Sequence, residues 1–534
     1  MKIKQKLVLM VFVVAVFFCP GLYAAGGGQS GAAGGSGNYL LVDRPVTLTV
    51  FTNFDAKASA TIKSYNEMAC FVGAAERTGI TLDFIHPAAG QETERFNLMV
   101  ASGEYTDIIK RPWTSYPGGP DKAIGDGVII DIKQLVEQHG PNYLKILQTD
   151  PRANIRDVMT DSGKMSFFTF FRLENWIRYT DGLYFREDWL KKLNLKTPET
   201  IAEWHSVLTA LKNGNPNGTG DTIPYVGTGA GALHRFIPAY GVKRDFYFDQ
   251  GNGAVKFGSI EPGYRDHILE MQRWVREGLV DPDLLSTNTT TFNAKITGHK
   301  GASFGGLLAG NMSTFMGLMQ GDASFQLVGA KWPRLDSNGK HYNPSGTIRQ
   351  AASGTGYAIS TSCKMPAEAV KILDWFYSPE GHNMINFGPP GQAYDMVNGK
   401  PVLKDFIMNN RDLSPVSAIS RYGLVGIDWS YTQDPDGFAQ ILRYNGVREA
   451  ADVFADSSMD LNLPLNITPN YEEGARLANI MSEVWNFVDE SYAEWVFRGR
   501  SLSNWDSYVT QIRRMGIDEA IRIQEAALAR YNRR

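Results

Sequence analysis

Cysteine is scarce in this 534-residue chain, with three in all, at positions 19, 70 and 363. So few cannot build a disulfide framework, and stability must come from buried apolar area. Two buried, unpaired thiols are the expected state of Cys70 and Cys363. An excess of one charge is also missing: 53 basic and 56 acidic residues are interspersed, leaving a net charge of -3 and no polybasic run. That balance argues against nucleic acid as a partner. No H-E-x-x-H, C-x-x-C or Walker sequence occurs, which removes the most compact signatures of metalloprotease, redox and nucleotide chemistry.

Long apolar runs are missing too, apart from one at the start. Lys2, Lys4 and Lys6 precede an unbroken stretch from Leu7 to Phe18, followed by Pro20-Gly21 and the small pair Ala24-Ala25. Residues 1–24 read as a secretory signal peptide, because the run falls short of the roughly 20 residues that span a bilayer. Residues 25–39, almost all Gly, Ala and Ser, form a flexible tract. Cys19 raises the question of a lipid anchor. Phe17 and Phe18 stand where small residues belong and Pro20 follows, so a free periplasmic or extracytoplasmic protein is expected.

Aromatic residues are plentiful: 11 Trp, 23 Tyr and 28 Phe, several of them in polar, Gly-rich surroundings. Flat rings beside hydrogen-bonding groups suit the apolar faces and hydroxyl edges of sugars.

The remaining length favours at least two domains. Val46, Leu48 and Val50 alternate with Thr47 and Thr49 as a half-buried strand. Ile62, Tyr65, Met68, Ala69 and Val72 then make a helical stripe ending at Gly79, Ile80 to Ile85 is strand, Phe96 to Ala101 is helix, and Asp107 to Ile109 is strand. This βαβαβ order predicts a parallel sheet covered by helices. Ligands of such sheets bind beyond the carboxyl ends of the strands, here the loops after Phe51 and after Ile109. The second loop makes Trp113 a candidate.

Residues 181 to 224 are the most informative stretch. Leu183 to Phe185 is a strand, Trp189, Leu190 and Leu193 mark a short helix, and Thr200 with Glu203 forms a capping box for the next helix. Ile201, Trp204, Leu208 and Leu211 are its apolar stripe, and Asn213-Gly214 stops it. This order resembles the extracytoplasmic sugar-binding proteins of ABC importers. The C-terminus adds a second match. A helix with Leu477, Ile480, Met481, Val484 and Trp485 on one face is followed by EWVFRGRSLSNWDSYVTQ and two terminal helices, similar to the aldouronate and oligosaccharide importer-binding group.

The resemblance implies an α/β, two-lobed periplasmic-binding-protein fold, type II-like, each lobe a mostly parallel sheet flanked by helices, with extra C-terminal helices. Lobe 1 is placed at residues 40–160 plus 300–375, and lobe 2 at 161–299 plus 376–534. It implies capture of an oligosaccharide by lobe closure, without catalysis, and delivery to the permease subunits in the membrane; the expected state is a monomer. Ligand-binding candidates are Trp113, Trp176, Arg178, Tyr184 and Arg186, then Tyr357 on the strand GTGYAIS, and Tyr422, Trp429 and Tyr431 in the irregular stretch RYGLVGIDWSY. For a uronate ligand, Arg111, Arg178 and Arg186 are the cations expected to pair its carboxylate.

Relatives often carry an acidic, calcium-loop-like run before the Ile-Pro that here is Ile223-Pro224. This chain offers Asn215, Asn217, Thr219 and one acid, Asp221, so the run reads as a solvated turn, with no metal or cofactor expected. Two other readings stand beside capture. Gly301-Ala302-Ser303-Phe304-Gly305 fits a G-x-S-x-G elbow but has no oxyanion loop, and a glycoside hydrolase or lyase needs only two carboxylates anywhere in the chain. A ligand-sensing subunit of a membrane receptor would share the fold and differ in partner.

Overall fold

The computed structural model describes residues 39–55, 57–150, 153–344, 352–426, 429–442, 444 and 446–534. The signal peptide, nearly all of the Gly/Ser/Ala tract and Cys19 lie outside the described residues.

Strands are numbered along the chain: β1 Val46–Phe51, β2 Ile80–Ile85, β3 Ile108–Arg111, β4 Phe168–Phe171, β5 Asp181–Arg186, β6 Ile223–Val226, β7 Phe246–Phe248, β8 Val255–Phe257, β9 Gly301–Leu307, β10 Leu327–Ala330, β11 Ala352–Ile359, β12 Tyr394–Val397 and β13 Lys400–Leu403. Two larger sheets organise them. The first has the order β2-β1-β3-β11-β4, the second β10-β5-β9-β6.

In the first sheet β1 pairs in parallel with β2 and β3, as the alternating sequence predicts, and β2 buries every second side chain. Helix α1, Ala69–Thr78, follows β1 and ends at Gly79, whose φ of +79° is a conformation that glycine adopts without strain. The helix begins later than the stripe from Ile62 predicts. Ser64 caps a 3-10 turn over Tyr65–Glu67, and Met68 is extended, so the apolar residues of that stripe before Ala69 pack from a turn.

The second sheet is less parallel than predicted. β5 runs antiparallel to both β9 and β10, and only β6 with β9 is parallel. Some of these pairings cross the limits expected from sequence. Gly301–Leu307 and Leu327–Ala330, placed with lobe 1 on sequence, pair around β5, while Phe168–Phe171, placed with lobe 2, pairs with β11 in the first sheet. β9 and β10 join the second sheet because the chain after residue 300 stays there before β11 returns to the first, and β4 joins the first because the chain leaves that sheet only after residue 171.

Helix α2, Ile201–Gly214, carries the predicted capping box: Glu203 N donates to Thr200 Oγ1 at 3.2 Å, and Thr200 N to Glu203 Oε2 at 3.0 Å. Its Trp204, Leu208 and Leu211 are buried in the core of the second sheet. Helices α3 Tyr471–Val496, α4 Trp505–Arg514 and α5 Ile517–Tyr531 close the chain as predicted and complete that core. The far end of α5 returns to the first lobe, where Tyr531 Oη donates to Asp157 Oδ1 at 2.6 Å and Arg530 pairs with Asp161 at 2.9 Å. Cys70 and Cys363 are unpaired. Burial raises the pKa of both thiols, that of Cys363 to about 12.

Candidate functional site

The chain leaves the first sheet at the carboxyl end of β4 and enters the second at Asp181, so the carboxyl ends of β1, β2, β3 and β4 share an edge with the crossing. Residues 431–433 join the same edge: Phe171 N donates to Tyr431 O at 2.8 Å, and Gln433 N to Phe171 O at 3.0 Å. By the topological rule for open α/β sheets, this is where a ligand binds.

Several groups of the first lobe come together there. Beyond β1, Asn53 Oδ1 accepts from the Lys110 ammonium at 2.8 Å. The neighbouring Phe54 ring lies 5.0 Å from the His86 ring and 5.1 Å from that of Tyr65. His86 Nδ1 donates to Thr52 O at 2.9 Å while its Nε2 accepts from Tyr65 N at 3.2 Å, which fixes the neutral tautomer; burial lowers its pKa. Behind them Thr52 Oγ1 and Tyr357 Oη are hydrogen-bonded at 3.1 Å, both buried. Asn53, Phe54 and His86 remain half-buried, so rings and hydrogen-bonding groups reach the surface side by side. The sequence rule located this loop but singled out none of them; Arg172, at the end of β4, was also missed, hidden behind the apolar run FTFF.

In the second lobe the loop after β6 leads to Arg235, whose Nη1 donates to Asp181 Oδ2 at 2.6 Å. A side chain at Gly305 would meet the Arg235 guanidinium at 2.4 Å, so glycine there lets the cation lie against β9. Burial works against the Arg235 charge, and the Asp181 carboxylate more than offsets it, raising its pKa.

Most predicted site residues belong instead to the packing beneath this edge. Trp113 is fully buried and donates Nε1 to Gly356 O at 3.1 Å. Tyr184 is fully buried and stacks on Phe304 at 5.1 Å. Arg186 is 1% exposed, forks onto both Asp188 oxygens at 2.9 and 2.7 Å, and lies between the Trp189 and Phe325 rings. Tyr357 and Trp429 are buried against each other, centroids 4.4 Å apart. Tyr431 is buried with Oη bonded to Leu424 O and Gly426 O. Trp176 is buried between Phe438 and the Arg448 guanidinium, 4.1 Å above its ring. These aromatics sit in Gly-rich sequence because strands and loops pack closely around them. Arg178 and Tyr422 keep partial exposure; Arg178 donates to Asn175 Oδ1 at 2.9 Å, and Tyr422 O accepts from Cys70 N at the start of α1. Arg111, at the carboxyl end of β3, lies over the Phe96 ring.

Two other features carry no chemistry of their own. Ser303 is buried in mid-β9 with Oγ donating to Pro224 O at 2.6 Å, so no exposed elbow forms. A cavity of about 340 Å³ lies between residues 118–122 and the ends of α3 and α5, and its Arg530 is held by Asp161 and Glu473.

The run before Ile223 is the one stretch with calcium-loop spacing expected from sequence. Asp221 Oδ1 accepts from Asn217 Nδ2 at 2.8 Å and from Thr219 Oγ1, and Lys300 Nζ pairs with its Oδ2 at 2.9 Å. These donors hold the carboxylate pKa down at about 2. The Asn215 and Asn217 oxygens accept from Gly220 N and Thr222 Oγ1, both at 2.8 Å. The oxygens are turned onto protein donors, and a lysine stands where a cation's charge belongs, so the residues do not fit calcium. Among the described residues no three His, Cys, Asp or Glu side chains gather to hold a metal ion.

Two mixed sheets joined by crossing segments, with rings and hydrogen-bonding groups at the crossing edge and no barrel among the described residues, define a two-lobed ligand-binding protein. Residues 60–383 match the model of the bacterial extracellular solute-binding proteins, and the chain belongs to that family. It is 24% identical over 496 residues to the fructooligosaccharide ABC transporter substrate-binding protein FusA of Streptococcus pneumoniae, covering 88% of each chain. To the polygalacturonan/rhamnogalacturonan-binding protein YtcQ of Bacillus subtilis it is 26% identical over 275 residues, 48% of this chain and 51% of that one. The fold is similar to the crystal structure of the alginate-binding protein AlgQ2 without calcium ion, with a TM-score of 0.73, 24% identity, and coverage of 91% and 99%. Family membership implies an extracytoplasmic location, and among the described residues no helix is long and apolar enough to cross a membrane.

Proposed function

We propose that the protein captures an oligosaccharide between its lobes and hands it to the permease of an ABC importer, without chemistry. The observation that carries this reading is the crossing edge, where Asn53 stands beside the half-buried ring faces of Phe54 and His86 and the crossing strands can act as a hinge. Support comes from FusA, whose name states a fructooligosaccharide cargo, and from YtcQ, named for binding polygalacturonan and rhamnogalacturonan. The burial of Ser303 removes the one serine-nucleophile motif and favours binding over hydrolysis.

In this reading lobe 1 comprises about residues 40–173, β11 with the helices to about 386, and residues 424–433; the rest forms lobe 2. Residues 1–24 direct export, Cys19 is not acylated, and the released protein works as a monomer. Arg178 and Tyr422 remain ligand candidates beside Asn53, Phe54 and His86.

Thermal unfolding of the mature protein against neutral oligosaccharides, uronates and peptides tests this, with product analysis of the same mixtures. Ligand that binds only the folded state raises the melting temperature by mass action. An upward shift with one sugar class and recovery of intact sugar is expected. Cleaved sugar would replace the reading by an enzyme, and a shift with peptides alone would move the cargo out of the carbohydrates.

A further inference from the structure

Arg172 follows β4 directly, at the point where the chain leaves the first sheet. Its Nε donates to Gln433 Oε1 at 2.9 Å, and its guanidinium lies 5.4 Å from the Phe170 ring centre. Gln433 is itself fixed: it is 3% exposed, its side-chain Nε2 donates to Val425 O at 3.3 Å, and its backbone N donates to Phe171 O. The stem of the fork is therefore held by the same ladder that joins the crossing segments.

What the fork points to is different from every other tightly held arginine nearby. Arg186 has Asp188, Arg235 has Asp181, and Arg530 has Asp161 and Glu473. Among the described residues no carboxylate lies within ion-pair distance of Arg172, and its two terminal nitrogens have no hydrogen-bond partner. Burial lowers its pKa, and the Tyr431 phenol is the one group that pulls the other way. A desolvated cation without a counter-charge is costly, and a fold that keeps one at a cleft edge gains when an anion arrives. With Nε occupied, the Nη1 and Nη2 pair is the end that makes two parallel bonds to a planar carboxylate.

We propose that Arg172 binds the carboxylate of an acidic, uronate-type sugar residue and makes the cleft selective for acidic over neutral oligosaccharides. This rests on the capture function proposed above and names its substrate class. Of the three arginines expected from sequence to do this, Arg186 has its fork filled by Asp188, Arg178 donates to Asn175, and Arg111 lies over the Phe96 ring.

Titration calorimetry with trigalacturonate and with kestose, on the wild type, Arg172→Gln and Arg172→Lys, tests the assignment. The wild type is expected to prefer the acidic sugar by at least about 10-fold. Arg172→Gln should lose about 10- to 100-fold on trigalacturonate and little on kestose, the range set by truncating a charge-assisted hydrogen bond. Arg172→Lys, which keeps the charge and loses the fork, should fall between and also serves if the glutamine variant does not fold. Equal weakening of both sugars would make Arg172 a hinge residue and overturn the proposal, as would unchanged binding of trigalacturonate. Binding of kestose alone overturns the proposal and leaves the capture function standing. Binding of neither also overturns it, and only silence across the wider sugar panel removes the function as well.

Discussion

Arg186 and Arg172 end consecutive strands and meet opposite fates. At Arg186 the fold fills the fork, with Asp188 on two nitrogens, His299 on the third at 3.2 Å, and aromatic faces on both sides. At Arg172 the fold fills one nitrogen and leaves two. The same residue type therefore belongs to the core in one lobe and to the cleft edge in the other. Here the contrast lies in donors that are left over at a half-buried position, as at Arg172, against donors filled in the core, as at Arg186.

The closed side of this contrast gives the largest effects. Trp429→Ala is expected to cost about 3–5 kcal/mol of stability in urea denaturation, since the ring is fully buried against Tyr357, Phe71 and Phe84. A loss below about 1 kcal/mol would return Trp429 to the ligand candidates. Arg186→Met should cost about 3 kcal/mol by stranding Asp188, whereas Arg172→Gln should cost under about 1 kcal/mol. If both cost the same, the distinction between filled and open forks fails.

Acid sensitivity sharpens the comparison. His234 is buried in the second lobe, and burial first, then the Arg244 charge, lowers its pKa to about 3. Below about pH 6.5 the unfolded chain takes up a proton that the folded chain refuses, so stability falls as pH drops toward 3, by up to about 1.4 kcal/mol per pH unit. His234→Gln should flatten that slope in denaturation curves taken between pH 6.5 and 4, and an unchanged slope would place the acid-sensitive group elsewhere. The smallest effect is expected at the Asn215 to Asp221 turn. EDTA or millimolar calcium should move the melting temperature by less than about 1 °C, because Lys300 and the turn's own donors occupy its oxygens. A rise of several degrees with calcium would show that the turn opens to a metal.

Much of the fold was legible because local physics and tertiary structure agree. The alternation at Val46 to Val50, the Thr200–Glu203 box and the paired terminal helices each appear where the sequence places them. The sheet membership of β9 and β10 was not, because both are apolar and Gly-rich in a way that suits either sheet, and pairing with β5 is a long-range choice. The candidate site was legible as a place and not as residues. The rule of carboxyl strand ends found the loop after Phe51, yet the prominent rings at Trp113, Tyr184, Trp429 and Tyr431 are buried, while Phe54, His86 and Arg172 carry no sequence signature. What separates them is burial, fixed by long-range packing that the sequence does not record.

Closure around a ligand is the claim on which the account turns, and small-angle X-ray scattering of the mature protein with and without a saturating sugar tests it most directly. The account expects the radius of gyration to fall when the sugar that raises the melting temperature is added, as the lobes rotate together about the crossing strands. An unchanged radius with the same sugar demonstrably bound would contradict capture by lobe closure.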